Sequence, residues 1–261
     1  MPHSLSVFLL GLLMMAPLAC QSMFRIAPDD PRVADMVRVP AGPFIMGQGP
    51  EDGRLGVDVG VDSVPRHRVN LREFWIDRTE VTVGRYKAFV AATGHRPFPE
   101  WAWDKRPYRN DDPVIGISFF DAKAYCAWRG ARLPTEAEWE KAARGTDGRR
   151  YPWGDVWDPE RVVYEGSRKV QPDRVGSHPA NASPYGALDM AGNVMEWTDT
   201  WYKAYPGNDL VREAFGEKYR VLKGGGWVGT QFEMRPANRH AVLPLLGQPT
   251  FGFRCVLSWH R

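Results

Sequence analysis

An α+β fold with irregular sheet is the class this chain predicts, on three observations. Strand-like segments come first, three helices with both ends marked follow, and turns with short strands fill the rest. That order lacks the regular strand–helix–strand alternation of a parallel sheet. Twenty-six Gly and 22 Pro also stand beside 11 Trp in 261 residues, which suits a loop-rich core pinned by buried indoles. A 43% hydrophobic and 25% charged content is ordinary for a soluble globular protein.

The elements follow in order. MVRVPAGPFIMG (36–47) alternates and then turns, as a first strand does, and FWIDRTEVT (74–82) reads as another. Thr82 caps a helix Val83–Thr93, with Tyr86, Phe89 and Val90 on one face and Gly94 as the stop. Ser118 caps a second over 119–129, with Asp121 in the box position and Gly130 closing it. Thr135 caps a third, Glu136–Arg144, with Glu138 three residues on and Gly145 beyond. Trp128 and Trp139 are expected as core anchors. No linker, low-complexity stretch or repeat interrupts the chain from Met36, so one domain is expected over 36–261.

The amino terminus carries an address. Residues 1–24 contain no Lys, Arg, Asp or Glu, and 5–18 are mainly apolar. Such a core is short for a membrane span and suits a secretory signal. The stretch ends in PLAC at 17–20, where Ala19 before Cys20 resembles a bacterial lipobox with Cys20 as the lipidated residue. Pro17 stands where Leu is usual and MPHSLS has no basic residue, so cleavage after Ala19 and an uncleaved anchor stay open. Residues 1–20 read as signal and lipobox, and 21–35 as a tether containing Pro28, Asp29, Asp30 and Pro31. Export to the periplasmic face of a bacterial envelope is expected, with membrane attachment through this segment.

Charge and motifs exclude several classes. A net charge of +3 with no dense Lys/Arg run gives no support for nucleic acid. His67, His95, His178 and His240 are scattered without HExxH spacing, and neither G-x-S-x-G nor a P-loop occurs. The most informative run is LDMAGNVMEW (188–197), which sets Asp189 and Glu196 around the tight turn of Gly192 and Asn193. Two readings fit it: a capped turn entering a strand, or a turn whose carbonyls and carboxylates hold a hard cation such as Ca²⁺.

Placed in order, the pieces carry a resemblance. VPAGPFIMG (39–47), FWIDRTEVTVGRYKAF (74–89), PVIGISFFDAKAYCAWRGARLPTEAEWEKAARG (113–145), YPWGD (151–155), YGALDMAGNVMEWT (185–198), VLKGGGW (221–227) and GFRC (252–255) follow one another. Together they resemble the formylglycine-generating enzyme, or sulfatase-modifying-factor, family over about residues 36–258. The resemblance implies a loop-rich fold related to C-type lectins. It also implies oxidation of a sulfatase cysteine with O₂ and a copper ion held by two thiolates. Those thiolates are expected within 224–239, GGGWVGTQFEMRPANR, which contains no cysteine. The chain has only Cys20, Cys126 and Cys255, and soft thiolate is what selects Cu(I), so copper is not expected.

By the same resemblance Cys126 and Cys255 match positions that form a structural disulfide, whose long loop gives about 4–5 kcal/mol in a chain-entropy model. Two buried thiols are the alternative. The resemblance also assigns Asp189, Gly192, Val194 and Glu196 to a structural Ca²⁺. A second family cation site, near 161–174, lacks its Asn-like ligand here. Arg235 and Arg239 match the family's R-x-A-x-R positions, and Arg239 is expected to brace the fold through a carboxylate or carbonyls. Gln231, Arg235, Arg239 and His240 are the candidate ligand groove. Beside it lies 241–249, where Leu243, Leu245 and Leu246 are either an apolar contact or a buried plug.

Three functions are then in play. The first is a non-catalytic binding or maturation module acting on an envelope protein or complex. The second is an oxidoreductase-type maturation enzyme of altered chemistry, acting on an extracytoplasmic protein or small molecule. The third is a sulfatase activator with residual activity.

Overall fold

The computed structural model describes residues 26–49, 52, 60–103 and 106–258. Cys20 and the rest of the signal-like segment lie outside them. Strand β1 (Met36–Val39) pairs antiparallel with β4 (Phe74–Asp77), and the other edge of β4 takes β9 (Val256–Leu257) from the end of the chain. Strands β2 (Gly42–Met46) and β3 (His67–Leu71) make a separate antiparallel pair. A four-stranded sheet runs β7-β6-β5-β8, built from β5 (Met195–Trp201), β6 (Arg220–Lys223), β7 (His240–Val242) and β8 (Phe251–Gly252). Its β5–β8 pair is parallel and the others are antiparallel. The segment read as one first strand is thus two strands in two sheets. They part at Pro40, which has no N–H to continue a ladder.

Among the described residues the helices are α1 (Val83–Thr93), α2 (Phe119–Trp128) and α3 (Glu136–Arg144). The Thr82 hydroxyl accepts from Arg85 N at 3.3 Å, and Gly94 ends α1 with φ 69°. Ser118 with Asp121 and Thr135 with Glu138 form reciprocal capping boxes. Helix α2 stops one residue before the expected end, because the chain turns at Gly130 with φ 69°.

Trp139 and Trp197 are fully buried, as an indole-pinned core requires. Trp128 is not an anchor of that kind. It is 43% exposed, because α2 turns Ala122, Tyr125 and Cys126 inward and leaves Phe120 and Trp128 outside. Cys126 and Cys255 are joined by a disulfide that ties α2 to the residue preceding β9. The stretch read as a tether also packs from Ile26 onward. Ile26 and Val33 are buried against Met36, Trp75 and Leu257, since apolar side chains beside an open sheet edge leave water.

Candidate functional site

The run 188–197 coils as tightly as its residues allow. Asp189, Gly192 and Asn193 have φ of 58°, 79° and 61°. A Cβ at position 192 would collide with the Val163 carbonyl and the Val162 side chain, so only glycine fits. Gly192 N donates to Gly224 O at 2.7 Å and Asn193 N to Val163 O at 3.0 Å. Trp227 N in turn donates to Asn193 O at 2.9 Å, which ties the GGGW turn to this one.

Around the turn lies a buried acidic cluster. Both Glu196 oxygens are engaged by Arg254, Oε2 from Nε at 2.6 Å and Oε1 from Nη2 at 2.7 Å, and Oε2 also accepts from Trp139 Nε1 at 2.7 Å. Arg254 further donates to the carbonyls of Asp77, Arg78 and Leu188. Asp189 accepts from Gly176 N and from Asn181 Nδ2. A third carboxylate escaped the sequence reading. Glu80 is fully buried, accepts from Asn193 Nδ2 at 2.9 Å through Oε1, and has no partner at Oε2.

Three carboxylates therefore face one guanidinium. Burial lifts the Glu80 carboxyl well above its usual range, and the charges of Asp189 and Glu196 lift it further against the pull of Arg254. Burial also raises Glu196, and Arg254 opposes it without cancelling the rise. Carboxylates beside backbone carbonyls are the donor type a hard cation takes; both oxygens of Asp189 and of Glu196 already accept hydrogen bonds, which leaves Glu80 Oε2 as the orphaned oxygen. Among the described residues no three His, Cys, Asp or Glu side chains converge to hold a metal by themselves. The carbonyls of Gly192 and Val194 would have to complete any set.

Within the segment 224–240, Met234 to Arg239 are buried, whereas Gln231 to Glu233 and His240 are half-buried and Val228 is exposed. Met234 is fully buried and packs with Tyr151, Val162 and Ala191. Arg235 Nη1 donates to Asp52 O at 2.8 Å. Arg239 makes a bidentate pair with Glu136 at 2.7 and 3.0 Å and reaches Asp62 O at 2.9 Å. Its guanidinium also lies over the Tyr205 ring, 4.2 Å from the centroid. Both arginines thus serve as internal braces, because a buried guanidinium must place its donors on protein oxygens. Gln231 and His240 remain half-buried at the surface. Burial lowers the His240 pKa, with Glu233 opposing, so the ring stays neutral beside Asn238 Nδ2 at 3.1 Å.

Beneath Arg239 is a second charged cluster. Glu136 and Glu140, one turn apart on α3, are met by Lys223 of β6 at 3.4 and 3.1 Å. Arg144 adds a bond to Glu140 at 3.0 Å, and Tyr205 Oη donates to Glu136 at 2.8 Å. Glu136, Tyr205 and Arg239 form the floor of a cavity of about 380 Å³, with His67, Trp201 and Lys203 at its walls.

No thiolate pair is present for copper. The interval 224–239 has no cysteine, and the disulfide consumes Cys126 and Cys255. The residues do not fit that ion.

Residues 23–259 match the model of the sulfatase-modifying factor enzyme 1-like domain. The chain belongs to that family. Its relatives differ in activity by name. Hercynine oxygenase of Mycolicibacterium thermoresistibile is 33% identical over 90% of this chain and 61% of that protein, so the chain spans under two thirds of such relatives. The inactive C-alpha-formylglycine-generating enzyme 2 of Mus musculus is 31% identical, over 85% of each chain. Among solved structures, PvdO from Pseudomonas aeruginosa aligns with a TM-score of 0.68 and 26% identity, covering 86% of this chain and 94% of that one.

Proposed function

We propose that this family member is a non-catalytic module of the bacterial envelope. It is exported, held at the periplasmic face through the segment ending at Cys20, and binds or helps mature an envelope protein or complex. One observation carries the reading: where the family's copper chemistry needs two thiolates, this chain supplies none. A relative named as inactive at 31% identity is consistent with a scaffold that outlives its chemistry. Among the described residues no helix is long and apolar enough to cross a membrane.

A structural Ca²⁺ belongs to the same reading, held by Asp189, Glu196 and the carbonyls of Gly192 and Val194. The charge surplus around Glu80 supports it, since a divalent cation neutralises what Arg254 alone does not. Metal analysis of the purified full chain tests both points. Calcium without copper or iron is the expected result, and a stoichiometric redox metal overturns it.

A second reading, oxidoreductase-type maturation of altered chemistry, draws on the relatives named hercynine oxygenase. It requires a redox metal held by His, Asp or Tyr, and turnover of a small molecule or protein with consumption of O₂. Oxygen uptake above background by the metal-loaded chain would favour it over the first.

A further inference from the structure

We infer that the outer face of α2, with Trp101 and the loop 243–247 beside it, rests on the lipid surface to which the N-terminal segment attaches. The inference rests on the envelope-anchored reading above.

The first observation is an apolar face with cations among it. Helix α2 turns Phe120, Lys123, Ala127 and Trp128 outward. Trp101 is 59% and Leu245 78% exposed, and both line one cleft with Arg96. Buried side chains underlie and join the two ends of the face. Phe89 lies 5.5 Å from Trp128 and 4.8 Å from His95, while His95 and Arg96 both bond Asp121 of α2. The loop is held by its backbone, with Phe119 N donating to Pro244 O at 3.1 Å and Gly116 N to Gln248 O at 3.0 Å. Leu243, Leu245 and Leu246 are all exposed, so they are not a buried plug. Indoles with apolar bodies and polar edges, next to Lys and Arg, suit the headgroup boundary of a bilayer.

The second observation is where the chain arrives. Ile26 is pinned in the core, and Pro31, Arg32 and Asp35 share a cavity wall with Trp128. Five residues separate Cys20 from Ile26, a reach of about 20 Å when fully extended. An anchor at Cys20 therefore holds Trp128 and its neighbours close to the lipid.

The full chain tests this, and fractionation of expressing cells comes first. If the chain sediments with membranes, a nitroxide is attached at Leu245→Cys and, as a control, at Val211→Cys, which lines neither cleft. Oxygen collisions exceeding those of a water-soluble nickel complex at 245 but not at 211 support the inference. Identical aqueous behaviour at both sites overturns it while anchoring stands. If the chain is soluble instead, the anchor fails. The same chain is then sedimented with vesicles of phosphatidylglycerol and phosphatidylcholine. Binding that drops about tenfold in Trp101→Ser and in Leu245→Ser, with unchanged Tm, supports the face, and absence of binding overturns it.

Discussion

Two buried charge clusters sit on either side of Trp139, and they solve burial in opposite ways. In the first, Glu136 and Glu140 meet Lys223, Arg144 and Arg239. Burial pushes the Glu136 carboxyl up, yet Arg239 and Lys223 more than reverse it and hold the group below its usual range. In the second, Glu80, Asp189 and Glu196 share only Arg254, and Glu80 ends far above its usual range. Depth is the same in both, so the count of cations decides. The first cluster is a finished brace, whereas the second carries a surplus that a proton or a metal ion must settle.

The largest expected effect is in the finished cluster. Arg239→Ala leaves Glu136 buried without its bidentate partner and should cost about 3–5 kcal/mol, read from urea denaturation. A loss under about 1 kcal/mol would mean the cluster is not braced as described.

The next effect separates the clusters by ligand. Calcium at about 100 times its dissociation constant should add about 2.7 kcal/mol to stability. Asp189→Asn should weaken that gain, while Arg239→Lys should leave it intact.

The smallest effect concerns protons. Glu80 binds its proton more tightly folded than unfolded, so the calcium-free chain should lose stability as pH rises from about 4.5 through the raised folded value. Glu80→Gln keeps the acceptor for Asn193 and removes that titration. It should stabilise the calcium-free chain by on the order of 1 kcal/mol at pH 8 and do nothing near pH 4. A pH-independent change in thermal scans would contradict the assignment.

Much of this was legible in the sequence because local signals and tertiary structure agree. The caps at Thr82, Ser118 and Thr135 mark helix starts, and the DMAGNVMEW run folds as a tight turn whose Gly192 admits no side chain. The charged clusters were not legible. Glu136, Glu140, Lys141 and Arg144 are all buried, because their partners come from β6, from Pro40, Gly42 and Gly47, and from the segment at 239. Glu80 shows only as an acid between two strand-like residues, and its partner Asn193 is 113 positions away. Trp128 misled for the converse reason. An indole on a helix predicts burial, and α2 instead keeps it outside.

The absence of a thiolate pair is the claim everything functional hangs from, and aldehyde formation tests it most directly. A sulfatase-motif peptide is incubated with the purified full chain, copper and O₂, and its mass is followed. The account predicts a cysteine that stays unchanged, with copper not retained after desalting. Conversion to formylglycine above the rate with copper alone would contradict it.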